Sequence, residues 1–279
     1  MHMSLNSLSR TVAMRRLWPL FALLIVGAIA CGSDDAAETA GPLDQTLTVA
    51  LPSFWAETLD PSLDGQPGLQ YHGHLYDHLV GVGADGRFDQ RYGLLSGWDP
   101  GDDASAYTLT LNQGIKWHDG VEVTSADIVY SIGHYTREDA RCAVCPMLAG
   151  AIDRVEITGR YAVVLHLTKP NVSIMHAFGP VAGDAPLLAA HAAGSVTAIG
   201  TGPWKMSGRS AGEWIEFEAN ADYWDSGRVP GFARLRLVLA PEPAVRAEML
   251  KRGDVDMTVL RPSGRPWSID EPQGDVPSV

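Results

Sequence analysis

The chain has 279 residues, 46% of them hydrophobic, enough to bury a core as one large domain or as two lobes. Its 21 lysines and arginines against 33 aspartates and glutamates give a net charge of −12, which argues against nucleic acid or an anionic membrane surface as a partner. Three cysteines are too few for a disulfide-rich scaffold.

At the N-terminus, Arg10, Arg15 and Arg16 precede an apolar run from Leu17 to Ile29 that only Pro19 and Gly27 interrupt. Positive charge, a short apolar segment and then small residues form the layout of an export signal. The run is short for a membrane span, which needs about 20 residues. Ala28-Ile29-Ala30-Cys31 resembles a bacterial lipobox, with Ala28 where that box usually carries leucine. The implied product starts at a diacylglycerol-modified Cys31; an uncleaved signal anchor is the alternative, and Met14 is a second candidate start. Residues 1–31 thus read as a lipoprotein signal peptide and 32–45 as a small, polar, flexible tether.

Thr46 to Leu51 is the first expected strand, followed by a loop, Pro52 to Pro61, that carries Phe54 and Trp55. Gly68 to Val80 has helical spacing, with Tyr71, Leu75 and Leu79 on one face. His74 and His78 stand at i and i+4, a spacing that lets two imidazoles share a metal, but no third ligand is fixed and surface histidines are the preferred reading. Tyr107, Leu109 and Leu111 alternate with polar residues as a half-buried strand does, and Ile115 and Trp117 resume the apolar face after a turn at Asn112-Gln113-Gly114. Thr124 and Asp127 have the spacing of a capping box, opening a helix in which Ile128, Ile132 and Tyr135 share a face.

Cys142-Ala143-Val144-Cys145 is a C-x-x-C; with an export signal upstream, a local disulfide is the expected state. Val155–Ile157 and Tyr161–Leu167 form a hairpin, Asn171 can cap a short helix from Val172 to Phe178, and 179–194 is loose. Gly200-Thr201-Gly202-Pro203-Trp204 makes a sharp turn that lacks the spacing of a phosphate loop. Strands follow at Trp214–Ala219 and Arg234–Leu239, then a helix that Pro243 opens and Gly253 stops, with Val245, Met249 and Leu250 facing inward. From 259 to 279, prolines and glycines without apolar periodicity read as a disordered tail.

Several of these stretches together carry a resemblance. Trp98-Asp99, Gly114-Ile115-Lys116-Trp117-His118-Asp119-Gly120, Thr124-Ser125-Ala126-Asp127-Ile128-Val129-Tyr130-Ser131, Gly200-Thr201-Gly202-Pro203-Trp204 and Asn220-Ala221-Asp222-Tyr223-Trp224 resemble the oligopeptide/dipeptide/nickel class of extracytoplasmic solute-binding proteins, family 5. The resemblance implies an α/β fold with α+β lobes, periplasmic-binding-protein-like and two-lobed, of the class with an extra small domain. Residues 46–64 and 180–258 would form part of the first lobe and 65–179 the small α/β domain, with the C-terminal lobe missing because the chain covers about the first half of such a protein. It further implies a lipid-anchored receptor, held at the membrane by Cys31, that captures a short peptide or similar solute for an ABC permease and its ATPase subunits. Phe54, Trp55, Thr201 and Trp204 are the expected ligand-binding residues, with packing beneath the loop an equal alternative for Phe54 and Trp55. A monomer is expected, with no cofactor, no metal and no catalytic residue.

Two other readings stand beside it. One is an exported thiol-redox or metal-dependent enzyme using Cys142, Cys145 or the histidines, although no H-E-x-x-H is present. The other is a non-functional fragment left with an open sheet edge.

Overall fold

The computed structural model describes residues 43–64, 69–180, 185–193 and 198–259. The expected signal peptide, Cys31 and the tail beyond Val259 lie outside the described residues.

Nine described strands form two sheets. The first is antiparallel and runs β2–β3–β5–β4, from β2 (Leu95–Asp99), β3 (Ala106–Leu111), β4 (Ile152–Gly159) and β5 (Ala162–Leu167). Its pleat follows the sequence alternation. Tyr107, Leu109 and Leu111 of β3 and Val163, Leu165 and Leu167 of β5 are all buried, each side chain contributing about 1.5–3 kcal/mol of apolar burial. Helix α2 (Ser125–Tyr135) covers this sheet with Ile128, Ile132 and Tyr135, as the i, i+4, i+7 spacing predicts, and the short α3 (Cys145–Ala151) leads into β4. Its first turn is the expected capping box: Asp127 accepts from the Thr124 N–H at 2.8 Å.

The second sheet is mixed and runs β6–β7–β8–β1–β9, from β1 (Leu43–Leu51), β6 (Trp204–Ser210), β7 (Trp214–Ala219), β8 (Phe232–Leu239) and β9 (Met257–Thr258). β1 is parallel to both β8 and β9, whereas β6, β7 and β8 form an antiparallel meander. Buried residues of both sheets, among them Leu109, Leu165, Phe217 and Leu235, belong to one continuous core.

Four expectations change. β1 begins at Leu43, inside the stretch assigned to the tether. Helix α1 (Leu69–Leu75) ends well before Val80, because the chain beyond it is committed to other partners: the Leu79 and Val80 backbones bond to Leu95 and Phe178. Ile115–Val123 is a tight hairpin held by Trp117 N–H to Val121 O and Val123 N–H to Ile115 O, and it extends no sheet. In α4 (Pro243–Arg252) the start at Pro243 and the stop at Gly253 stand, but Val245 and Leu250 are exposed, at 50% and 38%. The buried residue is Arg246, whose guanidinium donates to the carbonyls of Ala240, Pro241 and Val259 and so closes the ends of the neighbouring strands.

Candidate functional site

The loop after β1 is held in an unusual shape. Trp55 and Glu57 have φ of 53° and 50°, left-handed values that side-chain-bearing residues rarely adopt. The surroundings impose this shape from two sides. From α1 and its end, Tyr71 Oη donates to Thr58 O at 2.8 Å, His72 Nε2 meets the same carbonyl at 2.8 Å, and Tyr76 Oη donates to Leu59 O at 2.9 Å. From the β6–β7 hairpin, Arg209 Nη1 donates to Glu57 O at 3.2 Å and the Gly212 N–H to Glu57 Oε2 at 2.9 Å.

The loop ends at Asp60, whose carboxylate is a hub. It accepts from Ser62 N–H at 2.9 Å and Ser62 Oγ at 2.6 Å, meets His134 Nε2 at 2.9 Å, and takes Arg137 Nη2 at 3.1 Å. Burial alone would raise its pKa; the bonds from His134 and Ser62 outweigh burial and hold the carboxyl well below its usual range. The Ser62 carbonyl in turn accepts from the N–H groups of Arg141 and Cys142, at 2.6 and 3.0 Å. Cys142 and Cys145 are joined as a disulfide, so the C-x-x-C turn buttresses the loop from behind. That bond also leaves Cys142 and Cys145 without free thiolates for a metal or for redox catalysis.

This loop borders a cavity of about 510 Å³. Leu59, Leu188, Ala189 and Ile199 give it apolar surface, Tyr76 and Tyr130 aromatic surface, and Glu57, Asp60, His134 and Arg209 polar edges. The Leu188–Ala190 wall hangs on α2: Ser131 Oγ accepts from Leu188 N–H at 2.8 Å and Asp127 Oδ1 from Ala190 N–H at 2.9 Å. An apolar floor with a few placed polar groups suits a small organic solute.

The residues singled out from the sequence fall elsewhere. Phe54 is 3% exposed and packs in the core, while Trp55 is 62% exposed; neither lines the cavity. Thr201 is fully buried, its Oγ accepting from Asp77 N–H at 3.4 Å, and Trp204 is buried at the start of β6. Thr201 serves a different junction. Gly202 N–H donates to Leu75 O at 2.8 Å, and His118 Nε2 donates to Gly202 O at 3.0 Å while Nδ1 accepts from Gly200 N–H at 3.2 Å. Beside it the Asp77 carboxylate accepts from Tyr223 Oη at 2.9 Å and Trp224 Nε1 at 2.8 Å. Burial raises the Asp77 pKa against these bonds. The motif stretches therefore knot together beside the cavity as scaffold. His74 packs edge-on against Phe217 at 5.7 Å, and no group of three or more His, Cys, Asp or Glu side chains among the described residues could hold a metal.

Arg209, Tyr130 and the 185–192 segment line or wall the cavity without any sequence motif that marks them for it. The signal that the last does carry is apolar: Leu187 and Leu188 are buried.

Residues 90–276 match the family described as bacterial extracellular solute-binding proteins, family 5 Middle. Protein XP55 of Streptomyces lividans is 30% identical over 174 residues, covering 58% of this chain and 30% of that protein. Oligopeptide-binding protein AppA of Bacillus subtilis is 25% identical over 269 residues, covering 88% of this chain and 48% of that protein. Among solved structures, the binding protein AgaA of A. tumefaciens R10, in complex with agropinic acid, superposes with a TM-score of 0.67 at 27% identity, over 76% of this chain and 43% of that one. The chain thus spans less than half the length of these relatives.

Proposed function

Because the chain belongs to the bacterial extracellular solute-binding proteins of family 5, we propose that its cavity is one wall of a solute-capture site serving an ABC importer. The observation that carries this reading is the wired loop from Trp55 to Asp60 facing Tyr130 and Leu188 across about 510 Å³ of space. A strained loop fixed by α1, the β6–β7 hairpin and the end of α2 is suited to presenting a surface to a ligand, and nothing in it resembles a nucleophile with its base. The solute class is a short peptide, in keeping with the name oligopeptide-binding protein that the relative AppA carries. Capture would proceed by closure of two lobes around the peptide, which an ABC permease then receives. The anchor is a lipid on Cys31; no helix among the described residues is long and apolar enough to cross a membrane.

Isothermal titration of the purified chain with a library of tripeptides tests capture: saturable binding is expected, and no heat with any of them overturns it. Intact mass of the chain expressed in a bacterial host tests the anchor. A diacylglycerol adduct is expected, lost in Cys31→Ser, and an unmodified Cys31 overturns it.

A further inference from the structure

Among the described charged residues that line the cavity, Arg209 alone is exposed. Asp60 is saturated by Ser62, His134 and Arg137. Glu57 gives Oε2 to the Gly212 N–H, while its Oε1 is buried without a hydrogen-bond partner among the described residues. Arg209 is different. Its side chain is exposed at the cavity edge and, among the described residues, meets no carboxylate and makes one hydrogen bond, from Nη1 to the Glu57 carbonyl. That single bond fixes the end of a flexible side chain and leaves the rest of the fork open. A planar guanidinium with free parallel N–H groups matches a carboxylate in a two-bond geometry that an ammonium cannot reproduce.

We propose that Arg209 is a specificity-determining residue that receives a carboxylate of the bound solute. The assignment rests on the capture reading above and narrows it: the solute is anionic at the end that meets β6, and its apolar part lies toward Leu188 and Ile199. A peptide offers two sources of this group, the C-terminal α-carboxylate and an acidic side chain.

Four probes separate them: trialanine, trialanine amide, and the amides of Ala-Glu-Ala and Ala-Gln-Ala, each titrated against the full chain and its Arg209→Gln and Arg209→Lys variants. Both substitutions are at an exposed position, and a thermal melt verifies folding. The expected result is that at least one carboxylate probe binds about tenfold or more tighter than its neutral partner. That preference vanishes in R209Q and is only partly kept in R209K. Preference for trialanine over its amide assigns the α-carboxylate; preference for the glutamyl over the glutaminyl amide assigns a side chain. Binding that ignores the carboxylate in the parent chain, or a preference that survives in R209Q, overturns the inference and leaves capture standing. Failure of all four probes to bind overturns capture and the inference together.

Discussion

A methyl group at Gly200 would stand 1.7 Å from the Leu75 carbonyl oxygen, and one at Gly202 would stand 2.6 Å from the Leu75 carbonyl carbon. Both neighbours are backbone, so the strain cannot be relieved by a rotamer change. Gly200→Ala is expected to cost about 3 kcal/mol or more in urea unfolding, with Gly202→Ala close behind. At the same junction, Asp77→Ala would leave the Tyr223 hydroxyl and the Trp224 indole N–H buried without their acceptor, a loss of about 2–4 kcal/mol in the same measurement. These residues show where sequence reasoning reaches its limit. Gly-Thr-Gly-Pro was legible as a sharp turn, because glycine and proline act on the local backbone. That the turn lies against Leu75 is a property of contacts far apart in the chain, and residue type does not encode it. Arg209 was illegible for the same reason: a lone arginine in a strand gains meaning only from the cavity beside it.

At the scale of elements, α2 was the most legible, since capping chemistry and a single apolar face both act within a few turns. Asp127 does more than cap. One oxygen serves Thr124 and the other holds Ala190, so Asp127→Ala is expected to cost about 2 kcal/mol, and faster amide exchange at Leu188 and Ala190 than in the parent should accompany it. The disulfide closes a loop with a sequence separation of 3, and chain-entropy reasoning assigns such a short loop about 2 kcal/mol. Converting both cysteines to serine should lower the urea midpoint accordingly, and the loss should appear first around Ser62, whose carbonyl the Arg141–Cys142 turn holds. α4 shows the opposite case. Pro243 and Gly253 mark its ends because both act locally, but its apolar residues do not reveal which side is inward when an arginine, Arg246, has three backbone carbonyls to satisfy.

At the scale of the whole molecule, two histidines set a pH dependence. Burial pushes His74 from 6.5 down to about 4. Burial does the same to His118, with Lys205 adding to it and the Gly202 carbonyl and Asp119 opposing, again to about 4. Both are neutral in the folded chain above that value. Above pH 6.5 neither folded nor unfolded chain protonates them, and their contribution is fully present. As pH falls below 6.5 the unfolded chain binds protons that the folded chain refuses, so stability declines progressively toward about pH 4. Urea midpoints taken between about pH 7 and pH 4.5 should fall, and His74→Phe should flatten part of that slope. A parent chain whose midpoint is level across this window would contradict the burial of both rings.

The fastening of the Trp55–Asp60 loop has a thermodynamic consequence. A wall already immobilised by Tyr71, Tyr76, Arg209 and Gly212 has little freedom left to surrender when a guest arrives. Association should therefore be quick and carry a small entropic penalty from this face. Loosening a single fastener, as Tyr76→Phe would, should slow the on-rate and make the binding entropy less favourable, though Tyr76 Oη itself is turned to the Leu59 carbonyl.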